Sequence, residues 1–457
     1  MDTPQQNRNK FGHWLKTSIT ARMLMVGFLI VILLVPLSYI ESLIFERSMR
    51  EDAAINEINQ QWGNEVLIYG PILEIPYKTY TEKTVLDKET QKTYTETIEK
   101  IQYFYSFPEN LLINSNINPE EKKRGIYSTA VYNSAIKING NFIKPDIKNL
   151  DIEPKDILWD KAKLVVQSSN VKGVYGANIE FGNKNYAITS EYNEANNKNR
   201  YGITLHTLET KYLDQIDFSL VDSIAFNIEF NIKGSEQIRF IPVGKTTEAT
   251  ISSNWKTANF FGEFLPYNDD KITENGFNAK WKILELNRPF SQEYKSNIPD
   301  LTEYASGVNF MIPIDDYQKS ERSAKYGFLV IALTFLVFFL IQTLSKINIH
   351  PFQYLIIGLA LTMFYTLLVS ISEHSNFLKA YLIAGISVVV LISVYSKSIL
   401  KNIKFPLFIA LSLTALYTFI YVIIQLENYA LLVGSIGLFM ILATVMFVSR
   451  KIDWNNN

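Results

Sequence analysis

The chain has 457 residues, of which 47% are hydrophobic and 19% charged, and its formal net charge is −1. A chain of this length forms more than one domain, and near-zero charge without a basic, aromatic-rich cluster argues against a nucleic-acid partner. The absence of cysteine excludes disulfides, thiolate metal sites and cysteine nucleophiles.

Charge is unevenly distributed along the chain. Residues 46–325 carry most of the Asp, Glu, Lys and Asn, whereas residues 326–450 are almost free of charge and rich in Leu, Ile, Phe, Val and Tyr. The first region is typical of a domain in water, and the second is typical of helices in lipid.

The first apolar run extends from Met23 to Ile40 and ends near Phe45, behind a basic N-terminus. A cleaved signal peptide is one interpretation. The run is long for such a peptide, however, and no small-residue cleavage pattern follows it. We therefore predict a cytoplasmic tail over residues 1–20 and an uncleaved membrane helix over residues 21–45.

Residues 46–325 are predicted to form one β-rich domain. Ile55, Ile58 and Trp62 recur at helical spacing and indicate a helical stalk just beyond the anchor. In Ile224–Ile232, apolar and other side chains then alternate, which places the apolar ones on one face of a strand.

Further alternating runs, and the turns between them, extend the β prediction through the domain. The runs lie around Thr79–Thr84, Thr93–Phe104, Gly125–Asn139, Lys163–Val171, Val174–Phe181 and Ala279–Leu286. Turns are predicted at Asn139-Gly140-Asn141, Phe181-Gly182-Asn183 and Asn275-Gly276-Phe277. The Asn-rich stretch Glu191–Tyr201 is predicted to be a mobile loop. The pattern favours a mainly antiparallel, sandwich-like domain.

Five more apolar stretches follow in residues 326–449, and a short tail occupies residues 450–457. Each stretch is about as long as a membrane-spanning helix, which needs about 20 apolar residues. They are Tyr326–Leu344, Phe352–Ile371, Phe377–Tyr395, Phe405–Gln425 and Tyr429–Val448. Their short connections make successive helices antiparallel neighbours, so we predict a five-helix bundle.

The positions of Lys and Arg predict the direction of the six spans. With the N-terminus inside, the connections that hold Lys346 and Lys397 and the tail with Arg450 all face the cytoplasm. The loops with Glu373 and Glu427 then face outward. The sequence thus predicts a multi-pass membrane protein, with both termini cytoplasmic and residues 46–325 on the opposite side of the membrane.

No motif for catalysis, a cofactor or a metal is found. The four histidines show no metal-ligand spacing, and His206 is predicted to lie on a sheet surface. The pairs Asp269-Asp270 and Asp315-Asp316 are interpreted as solvated turns. The middles of all six spans lack ionisable residues, which argues against proton-coupled transport. We expect a non-enzymatic protein.

Two clusters at predicted membrane boundaries are the candidate sites. His350-Pro351-Phe352-Gln353-Tyr354 begins one span, and Ser372-Glu373-His374-Ser375 follows its end. A Glu beside a His could bind a metal or respond to pH, but such a pair is more often a helix cap with an interfacial contact. The candidate residues are His350, Gln353, Tyr365, Glu373 and His374.

The chain resembles the CreD family of inner-membrane envelope proteins, because it contains many short sequence motifs of that family in the same order. These motifs include Tyr69-Gly70-Pro71-Ile72-Leu73-Glu74-Ile75-Pro76-Tyr77, Arg124-Gly125-Ile126-Tyr127, Ser253-Asn254-Trp255, Phe261-Gly262-Glu263-Phe264-Leu265-Pro266, Gly276-Phe277-Asn278-Ala279-Lys280-Trp281, His350-Pro351, Ser372-Glu373-His374 and Asp453-Trp454.

The resemblance implies a protein of a bacterial inner membrane, with residues 46–325 in the periplasm. It also implies a role in cell-envelope integrity and in a stress response, with altered tolerance to colicins or β-lactams, but it supplies no catalytic residues. Two alternatives stay open. One is a transport or lipid-handling component with a polar groove between its helices, suggested by the Ser and Thr of the third and fifth spans. The other is a stress sensor acting through a partner. The expected partners are the lipid bilayer and other envelope proteins or a periplasmic ligand, in a Gram-negative host.

Overall fold

A computed structural model describes residues 19–86, 93–147, 151–191, 203–213, 222–310, 316–345, 347–400, 403–426 and 429–450. The chain divides into two compact units. The first comprises Met1–Asp52 with Ile314–Asn457, and the second comprises Ala53–Pro313. Most of each predicted tail, most of the predicted loop Glu191–Tyr201, and Glu427 lie outside the described residues.

The first unit is built of α-helices, and in the described residues six helical segments are long and apolar enough to cross a membrane. The helices are α1 (Ile19–Trp62), α2 (Asp316–Lys325), α3 (Gly327–Ser345), α4 (Pro351–Ser372), α5 (Phe377–Leu400), α6 (Lys404–Gln425) and α7 (Ala430–Ser449). Short α2 directly precedes α3, and the two together supply the second span, Gln318–Ser345. The predicted arrangement of one N-terminal and five C-terminal membrane helices is confirmed.

Helix α1 packs through one narrow stripe. From residue 26 onward its buried apolar residues recur every three or four positions, as expected for one face of a helix; they are Val26, Leu29, Leu33, Leu37, Ile40 and Ile44. The side chain of Leu33 packs directly against Gly358 of α4, and a β-carbon at position 358 would collide with it. The side chain of Leu37 packs against Gly327 of α3, where a β-carbon would also collide. Glycine at these two positions therefore allows close helix packing, which is the main source of helix association in lipid.

The second unit contains the end of α1 and seventeen strands in the described residues. They are β1 (Val66–Leu86), β2 (Thr93–Ser106), β3 (Asn110–Arg124), β4 (Tyr127–Ile143), β5 (Lys163–Ser168), β6 (Val174–Phe181), β7 (Lys184–Tyr186), β8 (Ile188–Glu191), β9 (His206–Thr210), β10 (Ser223–Ser235), β11 (Gln237–Phe240), β12 (Thr246–Ser253), β13 (Ala258–Gly262), β14 (Ile272–Thr273), β15 (Gly276–Leu284), β16 (Glu293–Lys295) and β17 (Ser306–Phe310).

These strands form two sheets. One has the order β13-β17-β11-β1-β5-β9-β8, with β2 paired to β1 and β16 paired to β2; the other has the order β14-β15-β12-β3-β4-β10-β6-β7. The pairs β1–β11 and β3–β12 are parallel, and the other pairs are antiparallel. The mainly antiparallel β domain predicted between the anchor and the bundle is therefore confirmed.

Aromatic side chains from both sheets meet in one core. Trp281 of β15 is 1% exposed, and its ring lies 5.6 Å from that of Phe240 and 6.2 Å from that of Phe260, which belong to the other sheet. The indole N–H of Trp281 also donates to the carbonyl of Phe264 (2.9 Å). Trp281 therefore joins the two sheets while its one polar atom remains satisfied.

Strand β10 confirms the predicted alternation, because Phe226, Ile228, Phe230 and Ile232 are buried and the residues between them are not. One predicted turn is wrong. Gly140 lies within β4, where a β-carbon would collide with the carbonyl of Asn110 and the ring of Phe226. Close packing across the sheet, rather than a turn, requires glycine there. Gly182 and Gly276 do lie at chain reversals and have φ values of 61° and 134°.

Replacing Trp281 with alanine should strongly destabilise the β domain. The change removes a buried indole that contacts the opposite sheet and leaves a cavity, which costs about 3–5 kcal/mol in comparable cores. Thermal unfolding of the full chain, followed by far-ultraviolet circular dichroism, measures the loss. Tyr267→Ala is the control, because Tyr267 is 64% exposed. An equal loss in the two variants would show that Trp281 does not join the sheets.

Candidate functional site

The first predicted cluster forms the cap of α4. The backbone N–H of His350 donates to Oε1 of Gln353 (2.9 Å), and the backbone N–H of Phe352 donates to Nδ1 of His350 (3.2 Å). Pro351 occupies the first helical turn, where no backbone N–H is needed. His350 and Gln353 therefore satisfy backbone donors at the start of a helix through reciprocal bonds.

The second cluster lies at the other end of α4. Glu373 follows the helix, its side chain is 16% exposed, and Oε1 lies 3.4 Å from Nε of Arg47 in α1. His374 is exposed to solvent. The ion pair therefore links the end of α4 to α1, and the neighbouring histidine is left at the surface.

The structure does not bring the five predicted residues together. Helix α4 has 22 residues, so about 33 Å separates its ends. Tyr365 lies between those ends and is only 1% exposed. The cluster thus consists of a helix cap, an ion pair with a histidine beside it, and one buried tyrosine.

Tyr365 belongs to an aromatic group formed by α4, α5 and α6. The ring of Phe364 lies 4.9 Å from Tyr365, 5.2 Å from Tyr381 and 4.5 Å from Tyr417. The hydroxyl of Tyr381 donates to the carbonyl of Tyr417 (2.8 Å). The hydroxyls of Tyr365 and Tyr417 are buried and have no hydrogen-bond partner among the described residues. Ring packing is therefore what holds Tyr365.

A buried polar pair lies between α3 and α4. Tyr354 is 0% exposed, and its hydroxyl donates to Oε1 of Gln342 (2.8 Å), which is 2% exposed. The rings of Phe335 and Phe338 pack against Tyr354 at 5.3 Å and 6.2 Å. Gln342 is visible in the sequence as a polar residue in an apolar run, but its partner emerges only when the two helices pack.

In the second unit, Trp62 fixes the end of α1 to the β strands. Its indole N–H donates to the carbonyl of Tyr132 (3.2 Å), and Nζ of Lys122 and of Lys233 lie 5.0 Å and 5.2 Å from the ring centre. Cations this close to an indole face are attracted to it. We call Trp62 and these three partners the stalk junction.

An ion pair and a buried hydroxyl lie beside the stalk junction. Arg239 and Glu65 are 3.0 Å apart, and the side chain of Gln237 donates to the same carboxylate. The hydroxyl of Tyr132 donates to the backbone carbonyl of Gln237 (2.8 Å), and burial raises the pKa of Tyr132 well above its usual value. A neutral phenol at ordinary pH therefore serves as a hydrogen-bond donor in the core.

The remaining titratable candidates do not converge. His206 lies exposed on β9, and Asp269 and Asp270 are exposed in a turn. Asp316 begins α2, while Asp315 lies outside the described residues. No group of three or more His, Asp or Glu that could hold a metal occurs within the described part of the chain. The polar contacts found here cap helices and join elements.

Comparisons with known proteins find matches that extend over nearly the whole chain. A family model described as "Inner membrane protein CreD" matches residues 18–455. A protein named "Inner membrane protein CreD", from Escherichia coli K12, is 29% identical over 450 residues, which cover 96% of this chain and 94% of that protein.

Solved structures add no support for the fold. A crystal structure of a candidate nutrient-binding protein from Legionella pneumophila is 9% identical, with a TM-score of 0.23 over 50% of this chain and 73% of that one. The InvG secretin β-barrel from the Salmonella injectisome is 8% identical, with a TM-score of 0.06 over 35% of this chain and 59% of that one. TM-scores this low do not indicate a shared fold.

Two tyrosine-to-phenylalanine changes should differ in their effect on stability. Tyr354→Phe leaves Oε1 of Gln342 without its donor and should cost about 1 kcal/mol. Tyr365→Phe removes a hydroxyl that has no partner, so stability should stay unchanged or rise. Thermal unfolding of the purified full chain in detergent compares the two. A loss in Tyr365→Phe as large as that in Tyr354→Phe would mean that the Tyr365 hydroxyl is bonded.

Proposed function

We propose that this chain, which belongs to the CreD family of inner membrane proteins, is a non-enzymatic component that maintains the cell envelope by holding a β domain in the periplasm. Membrane helices before and after the β domain are the observation that carries the proposal. Such an arrangement retains the domain at the membrane throughout the life of the protein.

The direction of the chain in the membrane is part of the proposal. Arg22 near the start of α1, Lys404 at the start of α6 and Arg450 at the end of α7 share one side if successive spans alternate in direction. Lys and Arg in short connections mark the cytoplasmic side. Arg47 and Arg50 would lie on the other side, but they adjoin the long segment, whose passage depends little on charge. Both termini are then cytoplasmic, and residues 46–325 periplasmic.

The arrangement of the polar side chains supports a structural rather than a catalytic role. His350 caps a helix, Glu373 pairs with Arg47, and His206 is solvated on a strand. A general base has to lie within hydrogen-bond reach of the group it serves, usually with a second group to orient it. In the described residues the contacts of these side chains are those of caps and ion pairs.

The stalk junction supports a role that depends on the position of the β domain. Arg124 at the tip of the β3–β4 hairpin pairs with Glu57 of the stalk (2.6 Å), and the ammonium groups of two lysines lie near the ring of Trp62. These contacts fix the last turns of α1 on the sheet. By family resemblance, the proposed role extends to an envelope stress response and to tolerance of colicins or β-lactams.

Deleting the gene in its own host should change the sensitivity of the cells to detergents, colicins and β-lactams, because the envelope loses this periplasmic domain. Growth in graded concentrations of each agent measures the change. The full chain, expressed at its native level in the deletion strain, should restore the original sensitivity. Identical growth of the deletion and parent strains in all three agents would contradict the proposal.

A triple histidine variant separates a structural role from a catalytic one. His206→Ala, His350→Asn and His374→Ala together remove every histidine in the described residues, and asparagine keeps a good helix cap at position 350. We expect the variant to restore sensitivity as fully as the unchanged chain. Failure to do so at equal abundance in the membrane would point to chemistry at a histidine.

A further inference from the structure

A groove runs between α3, α6 and α7 of the membrane unit. It encloses about 750 Å³ and is lined by residues in 333–345, 404–419 and 437–448. Its volume lies in the range of roughly 300–1,000 Å³ typical of small-molecule sites. The residues that line the groove include neither those of the helix cap nor Arg47 and Glu373 of the ion pair.

The groove exists because α7 packs loosely. None of the described residues of α7 is buried, and its main neighbour is α6. The two helices meet closely where the ring of Phe419 lies against Gly437, at a position where a β-carbon would collide with the ring. This contact closes one end of the groove near the middle of α7.

The walls of the groove are mostly apolar, and two of the threonine hydroxyls that line them are bonded within their own helices. Thr334 donates to the carbonyl of Val330 (2.7 Å), and Thr444 donates to that of Met440 (2.9 Å), so both hydroxyls are satisfied by their own helices. Thr362 and Ser372, in the span whose hydroxyls suggest a polar path, are likewise bonded to their own helix. The groove therefore suits a hydrocarbon better than a polar solute.

The length of the groove matches one leaflet of a bilayer. The lining of α3 covers positions 333 to 345, and the lining of α7 covers positions 437 to 448. At 1.5 Å per residue these distances are about 18 Å and 17 Å. Half of a hydrocarbon core is about 15 Å thick. An extended acyl chain from one leaflet therefore fits from the open end to Phe419.

The open end of the groove carries positive charge. Lys404 lines it at the start of α6, and Arg450 directly follows α7. Lys346, Lys401 and Lys451 adjoin the same helix ends in the sequence but lie outside the described residues. The cations complement an anionic lipid headgroup, and the apolar groove beside them complements the acyl chain of the same lipid.

We infer that the α3–α6–α7 groove is a binding site for one anionic phospholipid. One acyl chain of the lipid lies in the groove, and its phosphate contacts Lys404 and Arg450. A second copy of this chain in the groove would instead bring the same cations against each other. The lipid belongs to the cytoplasmic leaflet if both termini are cytoplasmic, as in the proposed function. The binding site itself does not depend on that orientation.

Photo-crosslinking from inside the groove tests this site. A photoreactive amino acid replaces Phe408, which lines the groove, in the full chain reconstituted in phosphatidylcholine vesicles with a minor fraction of phosphatidylglycerol. Mass spectrometry then identifies the adducts. Val394 of α5 is the matched control, because it is 66% exposed and lies at a similar depth outside the groove.

We expect adducts at position 408 to be enriched in phosphatidylglycerol over its share of the vesicle by about fivefold for each of the two cations. Adducts at position 394 should follow the vesicle composition. Lys404→Gln with Arg450→Gln should remove the enrichment at 408 and leave 394 unchanged, which also shows that the variant is inserted and folded.

Two results would overturn the site. Adducts at 408 in proportion to the vesicle composition would mean that only bulk lipid contacts the groove. Crosslinks from 408 to a second copy of the chain would mean that the groove is an interface between copies. Neither result bears on the sensitivity of the deletion strain, so failure of this inference is distinguishable from failure of the proposed function.

Discussion

Hydrocarbon cannot hydrogen-bond to a peptide group, and this constraint shapes the membrane unit. Each span is a helix that satisfies its own backbone, and several polar side chains within the spans bond to a neighbouring helix or to their own, as Tyr354 does with Gln342 and Thr334 with Val330. Ionised groups are displaced to the helix ends. There, Arg47 and Glu373 pair, Lys404 lines the groove, and Arg450 directly follows α7.

The β domain meets the opposite requirement, since it must fold in water without a disulfide. Rings from both sheets around Trp281 contribute to its core, and the buried Tyr132 hydroxyl and Trp281 indole are bonded to backbone carbonyls. The stalk joins this core through the indole of Trp62 and two lysines. Such contacts combine packing with charge, and they fix the last turn of α1 on the β strands.

Sequence reasoning succeeded where the local pattern decides the structure, and failed where tertiary contacts do. The apolar runs long enough to span a bilayer and the alternating residues of β10 could be recognised without knowing which elements pack against them. The first half of β1 was missed because Leu67, Ile68, Ile72 and Leu73 are all buried, so both faces are covered and nothing alternates. Strand β12 was missed because Thr247 and Ser253 occupy its buried face. Arg47 and Glu373 are far apart in the chain, and no local pattern predicts their contact.

The absence of cysteine allows a clean measurement of which side of the membrane each unit faces. Single cysteines at Leu286, which is 82% exposed in the β domain, and at Ser398 near the end of α5 can be treated with a membrane-impermeant maleimide in spheroplasts. The account predicts labelling at position 286 in intact spheroplasts and at position 398 only after lysis. Labelling at 398 but not at 286 before lysis would contradict it.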